Sequence, residues 1–460
     1  MIRRLAGTNM QQVDVAIVGG GPAGSAAGHA AATNGADAVV IEKGVPRADR
    51  DGLGPDSTDA AGILDYWVDI MDLGEPVPDH VKHRELNAAE FIGPEDRLEL
   101  TDTSIDASYP NFGFTMHRAR FDDWLRERAE AAGATYRVGE AVGDIESDLS
   151  GRPTHTVTLR DGTEFVADYL ILADGPQRTV TDGVIGSWLP DSKTEGLETR
   201  RANHIAYQEY REFPAELFED DRIKFWWGHM PGHTAYPWVF PNDGTVARVG
   251  LTMPIGLDID DIDNRSAYPL LQPDDERLPQ GGTYIERLLE TVYPEYELAD
   301  FPILEDRGKS NGTETYPISS TRPIESPTDA NVAIVGGAMG ATSAFHEGGD
   351  HVAVRTGKLA GELAATEALG SYNAAWHDAI GSEVRRNCVF ADMVRGYEPD
   401  DWDHLFSLVD GLTSEDGFTP HEAIYAGWSG TKLFAEYKYR AFTFRNGGYA
   451  QVRESDYSIR

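Results

Sequence analysis

The run of branched apolar residues at 13–18, VDVAIV, leads without a linker into glycines at 19, 20, 21 and 24 and then into small residues at Ala23, Ala26, Ala27, Ala30 and Ala31. The run has the length and branching of a buried parallel strand. The alanines suit a helix packed closely on a sheet, and Pro22 stands in its first turn, where a missing N–H costs nothing. A second apolar run, 38–41, ends on Glu42. Strand, glycine turn, helix, strand and terminal acid together predict a dinucleotide-binding unit. Gly19 makes the tight turn, Gly21 lets a pyrophosphate approach the backbone, and Gly24 lets helix and strand touch. The helix start offers free N–H groups to the phosphates, and Glu42 is placed to accept hydrogen bonds from ribose hydroxyls.

Farther along, a loop is expected at 44–58 and a helix at 59–73. The 116–132 stretch puts Phe121, Trp124, Leu125 and Ala129 on one helical face and is closed by Gly133. Strands follow at 135–138, 155–159, 165–167 and 169–173, the last running into Asp174-Gly175. Between 203 and 253 the texture changes to alternating, aromatic-rich segments at 204–210, 223–227, 234–240 and 246–252. That period of two predicts an antiparallel sheet covering a ligand site. A looser acidic connection, 254–280, precedes a helix at 284–291. A further buried strand is expected at 331–335 and an alanine-rich helix at 351–369. From 372 onward the pattern is mainly helical and reads as a separate C-terminal layer.

Composition narrows the function. Lys and Arg total 40 against 77 Asp and Glu, a formal charge of −37 spread along the whole chain. Nucleic acid is excluded as an expected partner, and the self-repulsion points to a salt-rich cytoplasm, where it is screened. Cys388 is the only cysteine among 460 residues. With no disulfide, CxxC pair or four-cysteine cluster available, redox chemistry requires a bound organic cofactor, and Cys388 itself is expected to be buried in a helix. The lack of a long apolar run or an apolar signal core predicts a cytoplasmic protein, soluble or peripheral to the inner face of a membrane.

Three motifs recur in the order and spacing of the flavin-dependent hydroxylase superfamily: the N-terminal fingerprint, LILADG at 170–175, and NVAIVGGAMG at 331–340. Within it the chain most resembles the geranylgeranyl reductase family. The likeness covers roughly residues 10 to 375. It is most specific at Tyr236-Pro237-Trp238-Val239-Phe240-Pro241, similar to that family's YxWxFP signature, and the 116–132 helix resembles its Arg-x-x-Phe-Asp helix, with Arg118 near the cofactor.

The resemblance implies an α/β fold of discontinuous domains. A Rossmann-like FAD-binding domain would comprise 10–80, 115–200 and 305–370, an antiparallel-sheet substrate domain 81–114 and 201–304, and a helical C-terminal region 371–460. It implies FAD held by Gly19, Gly21, Pro22, Ala23, Gly24, Glu42, Lys43, Arg118, Asp174, Gly175, Gly337, Gly340, Gly348 and Gly349. Reduction of isoprenoid C=C bonds is the implied activity, with Tyr236, Trp238 and Phe240 as substrate walls, joined by Phe225, Trp226 and Trp227. Asp350 and His233 are the expected catalytic groups, and Glu347 is a third titratable group expected near the flavin. No second nicotinamide fingerprint is present, so electrons would come from reduced ferredoxin or from an NAD(P)H that binds without its own Rossmann unit.

The chain departs from the family pattern at Gly337, where an acid is usual, at Asp350, where an apolar residue is usual, and at 44–58, which lacks the cysteine of some archaeal members. Two other readings stand beside the reductase: a flavin monooxygenase on an aromatic or apolar substrate, and a flavin-free isoprenoid-binding protein. The basic, aromatic stretch 437–445, YKYRAFTFR, is expected to pack back on the flavin domain, with a lipid interface as its second reading.

Overall fold

The computed structural model describes residues 3–4, 10–46, 62–198, 203–308, 310–413, 433, 435–445 and 448–459. Most of the expected 44–58 loop and the start of the 59–73 helix lie outside these. The chain resumes with a short strand, Gly62–Leu64, and a helix, Asp65–Met71.

Branched apolar residues form the eight-stranded sheet of the nucleotide-binding unit. Its parallel core runs Glu164–Leu172, Met10–Val18, Ala38–Glu42 and Thr135–Val138. The two strands expected at 165–167 and 169–173 are one continuous strand, because it pairs along its whole length with Met10–Val18. Beyond it lie the antiparallel hairpin strands Val142–Asp148 and Thr154–Leu159, the first of which the sequence pattern does not announce. Val332–Ile334 joins in parallel beside Leu170–Leu172.

Small residues bring two helix starts to one place. Helix Pro22–Thr33 crosses helix Asp350–Ala365 so closely that a Cβ at Gly357 would overlap the Ala23 carbonyl, and one at Gly361 the Ala27 carbonyl. Helix Arg118–Ala132 closes on Gly133 in the left-handed conformation that glycine favours. Its Phe121, Trp124 and Leu125 are buried, as their spacing predicts.

The aromatic-rich segments form a seven-stranded sheet in the order Thr313–Ile318, His204–Glu212, Val246–Pro254, Tyr236–Pro241, Arg222–Trp226, Ala88–Ile92, Arg97–Leu100. All pairs are antiparallel except Arg222–Trp226 with Ala88–Ile92. Alternation divides it into two faces. Val249, Leu251 and Trp226 pack with Tyr284, Ile285, Leu288 and Leu289 of helix Gly281–Val292. Ile223, Tyr236, Trp238 and Phe240 point the other way. A three-stranded sheet, Gly62–Leu64, Gly113–Met116 and Lys82–Leu86, completes the strands.

The described residues of the C-terminal region do not form a separate layer. Helix Tyr372–Met393 sends Trp376, Ile380 and Cys388 into the core of the eight-stranded sheet. Burial pushes the Cys388 thiol up to about 12, which keeps it inert. Helix Pro399–Thr413 instead sets Trp402 and Phe406 against the seven-stranded sheet. Past these, Val452 bridges Ile324, and the Tyr457 hydroxyl donates to the Glu325 carbonyl at 2.8 Å. Within 437–445, Tyr437 packs on the first core and Phe444 is buried under Arg322, whereas Tyr439 and Phe442 are 72% and 58% exposed. No described helix is long and apolar enough to cross a membrane.

The −37 charge has a direct consequence for this fold. Between dilute buffer and molar KCl the Debye length contracts to about 3 Å, so the melting temperature should rise by on the order of 10 °C or more. Differential scanning calorimetry checks this, and a flat melting temperature would remove the salt-adaptation reading.

Candidate active site

The two neighbouring helix starts and the inner face of the seven-stranded sheet enclose one cavity of about 780 Å³. Its lining includes Gly21, Pro22 and Ala23 at the first helix, Gly175 and Gly337 at two strand ends, and Gly348, Gly349 and Asp350 at the second helix. Gly21 caps the first helix without any side-chain hydrogen bond, and a Cβ there would meet no atom within 4 Å. The first-turn N–H groups are thus offered to whatever occupies the cavity.

The remaining glycines serve the scaffold. Gly19 has φ +102° and a Cβ there would overlap the Ala173 carbonyl, while one at Gly24 would overlap Gly19 itself. Gly20, to which the sequence pattern assigns no role, admits Glu42: its N–H donates to Glu42 Oε2 at 2.6 Å, and the Gly44 N–H donates to Oε1 at 2.6 Å. Glu42 is therefore fixed at its strand end, outside the cavity lining, and Lys43 beside it is exposed.

Two expected cofactor residues also lie outside that lining. Asp174 accepts from the Val180 and Thr181 N–H groups at 2.6 and 3.0 Å and from the Thr181 hydroxyl, so its carboxylate braces the following turn. Gly340, at φ +73°, leaves room for Arg178 and Thr321. Gly337, where the family pattern has an acid, faces Pro176, whose Cδ would stand 3.1 Å from a Cβ at that position.

The opposite wall is aromatic. Tyr236, Trp238 and Phe240 share one face of their strand and all line the cavity, with Phe225 and Trp227. Trp226 points to the other face, as alternation requires. Tyr236 stacks on Trp227 with ring centroids 4.3 Å apart and donates its hydroxyl to the His346 carbonyl at 2.7 Å. Trp238 lies across Gly250 of the neighbouring strand, where a Cβ would come within 2.5 Å of the indole. Its buried indole N–H has no partner among the described residues.

Ionisable groups stand between the two walls. Arg118 bridges Asp122 at 2.8 Å and Asp350 at 2.9 Å, tying the start of its own helix to that of the second. Burial, opposed by Arg118, pushes Asp122 up to about 6. His233 is outside the cavity lining and instead meets the edge of His204, 5.6 Å between ring centroids. The buried acid that does face the cavity is Glu347, which accepts from Thr234 at 3.3 Å, Ser320 at 3.5 Å and the Thr252 hydroxyl, and lies 3.3 Å from His204 Nε2. Burial pushes Glu347 up to about 8 and His204 down to about 4. His204, Thr234, Thr252 and Ser320 come from four separate segments and carry no local sequence signal.

Comparisons with known proteins fall on this architecture. The FAD binding domain family matches residues 12–186. Digeranylgeranylglycerophospholipid reductase 1 of Methanosphaera stadtmanae is 28% identical over 295 residues, 62% of this chain and 66% of its own length. A menaquinone reductase of Mycobacterium tuberculosis is 30% identical over 243 residues, 52% of this chain and 54% of that protein. The chain carries an FAD-binding domain and is similar along most of its length to digeranylgeranylglycerophospholipid reductases. Its fold is that of a solved geranylgeranyl bacteriochlorophyll reductase-like protein from Thermoplasma acidophilum, with a TM-score of 0.66 at 20% identity over 95% of this chain and 99% of that one.

FAD is the cofactor of this protein, and the residues present fit it. The uncapped helix start at Gly21 suits a pyrophosphate, and the side-chain-free surface at Gly175, Gly337, Gly348 and Gly349 leaves room for a flat group against backbone.

Proposed function

We propose that this protein is an FAD-dependent reductase that saturates C=C bonds of an isoprenoid chain, such as that of a membrane lipid or an isoprenoid quinone. One observation carries the reading: the same cavity is lined by the glycine surface on one side and by Phe225, Trp227, Tyr236, Trp238 and Phe240 on the other. The names of the relatives support the substrate class, since one reduces a digeranylgeranyl lipid and another a menaquinone by name.

When bound and reduced, the flavin would supply a hydride to an alkene carbon. Gly21, Pro22 and Ala23 would hold the pyrophosphate with first-turn N–H groups, and Arg118 with the second helix start would border the ring. An isolated alkene offers no polar handle. The work of the chain is therefore to press it against the glycine face and to exclude water, which the aromatic wall does by shape and apolar surface. The electron donor is proposed to be a reduced ferredoxin or NAD(P)H.

The test is anaerobic. Protein reduced chemically and mixed with a geranylgeranylated lipid should give products heavier by two hydrogens for each bond reduced, with no oxygen required, as read by mass spectrometry. Isoprenoids left untouched, beside oxygen consumption with an aromatic acid, would replace this reading with a monooxygenase.

A further inference from the structure

Two buried non-glycine residues sit in the left-handed backbone region with their side chains in contact. Thr234 has φ +56° and Glu347 φ +58°, and the Thr234 hydroxyl donates to Glu347 Oε1 at 3.3 Å. A β-branched residue at positive φ is strained, and such strain persists where surrounding structure holds a functional geometry. Here it brings one carboxyl to the cavity wall beside Thr252 and Gly348.

Behind that carboxyl the hydrogen bonds have a direction. Asn203 Oδ1 accepts from the Ser320 N–H at 2.9 Å, which turns its amide so that Nδ2 donates to His204 Nδ1 at 2.7 Å. His204 therefore carries its proton on Nε2, the nitrogen 3.3 Å from Glu347 Oε1. Asn203 and His233, which flank His204, are only partly buried.

We propose that Glu347 is the proton donor of this site and that His204 reloads it from the solvent side. The proposal rests on the reductase reading. In the step, the Glu347 O–H bond breaks and a C–H bond forms at one alkene carbon, while reduced flavin gives a hydride to the other carbon and is oxidised. The carboxylate left behind is held by the hydroxyls of Thr252, Thr234 and Ser320. His204 then takes a proton at Nδ1, where Ser320 Oγ at 3.3 Å accepts it in place of the Asn203 N–H, and releases the Nε2 proton to Glu347; return of the remaining proton from Nδ1 to Nε2 through solvent restores the starting tautomer.

The electrostatics agree. Burial opposes charge on both partners, so at neutral pH the pair is neutral with the acidic proton on Glu347. Among the other ionisable groups around it, burial first, with Glu347 among the smaller causes, raises the phenols of Tyr236 and Tyr316, burial first and Arg386 second lower His346, and Arg386 itself stands on the exposed side of the lining. Arg118 is engaged by Asp122 and Asp350. That ion pair makes Asp350 a hydrogen-bond acceptor and a positioning residue for Arg118.

Glu347→Gln keeps the shape and removes the proton. Infrared difference titration of the flavin-loaded protein without substrate should show a protonated carboxyl band that disappears with a midpoint near pH 8 in the wild type and is missing from Glu347→Gln. With equal FAD content, anaerobic single-turnover flavin oxidation by a geranylgeranylated lipid should be slower by about a hundredfold in Glu347→Gln. His204→Gln should keep the first turnover and slow later ones by about tenfold, a split that a purely structural role would not produce. A midpoint below about pH 6 for the carboxyl band that Glu347→Gln removes, or Glu347→Gln turning over as fast as an active wild type, overturns the proposal alone. Wild-type protein that leaves the alkene untouched overturns it together with the reductase reading.

Discussion

Gly21→Val is expected to yield folded protein that purifies without FAD. The other glycines of the fingerprint cannot test the ligand cleanly, because a Cβ at Gly19 or Gly24 would overlap backbone of the fold itself. Gly21 differs. Its φ of −69° is open to any residue, and a Cβ there meets nothing within 4 Å, so valine would project into the cavity instead of into the protein. It would stand where the pyrophosphate must approach the first-turn N–H groups. The visible spectrum in high salt should lose its flavin bands while the melting profile keeps a single cooperative transition. Retention of stoichiometric FAD by Gly21→Val would mean that the pyrophosphate lies elsewhere.

Trp238→Ala should lower alkene reduction by on the order of a hundredfold with FAD still bound, as expected when a reacting bond is misplaced. Gly250 stands opposite Trp238 in the next strand, so nothing from the sheet can move in to fill the space that the indole vacates. The cavity created would admit water and loosen the alkene where the chain must hold it. Trp238→Phe, which keeps an aromatic plate, should recover most of the rate. Single-turnover kinetics on reduced protein measures both. An unchanged rate in Trp238→Ala would assign this wall to sheet packing only.

Features set by neighbours in the chain were legible in the sequence. The turn at Gly19, the uncapped start at Gly21 and the helix after it all depend on residues within one turn of each other, and local sterics decide them. The alternation through 236–240 settled which side chains share a face, because strand geometry leaves no other choice; the same rule would have excluded Trp226 from the wall. The glycines at 337, 348 and 349, placed near the cofactor by their motif, do line the cavity.

Other roles required the chain to fold before they could be assigned. Asp174 reads as a cofactor acid after a strand, but its oxygens are taken by Val180 and Thr181. Asp350 reads as a free acid near the ring, but a helix more than two hundred residues earlier in the chain brings Arg118 to it. His233 reads as a reactive strand-end histidine, whereas the group at the cavity is Glu347, and His204 lies between the two. The sequence by itself determined the nucleotide-binding unit and the aromatic sheet, since periodicity and glycine sterics act over a few residues. The tertiary structure alone decided which acid is buried and which is paired, since desolvation and ion pairing depend on groups that only long-range packing brings within a few ångströms.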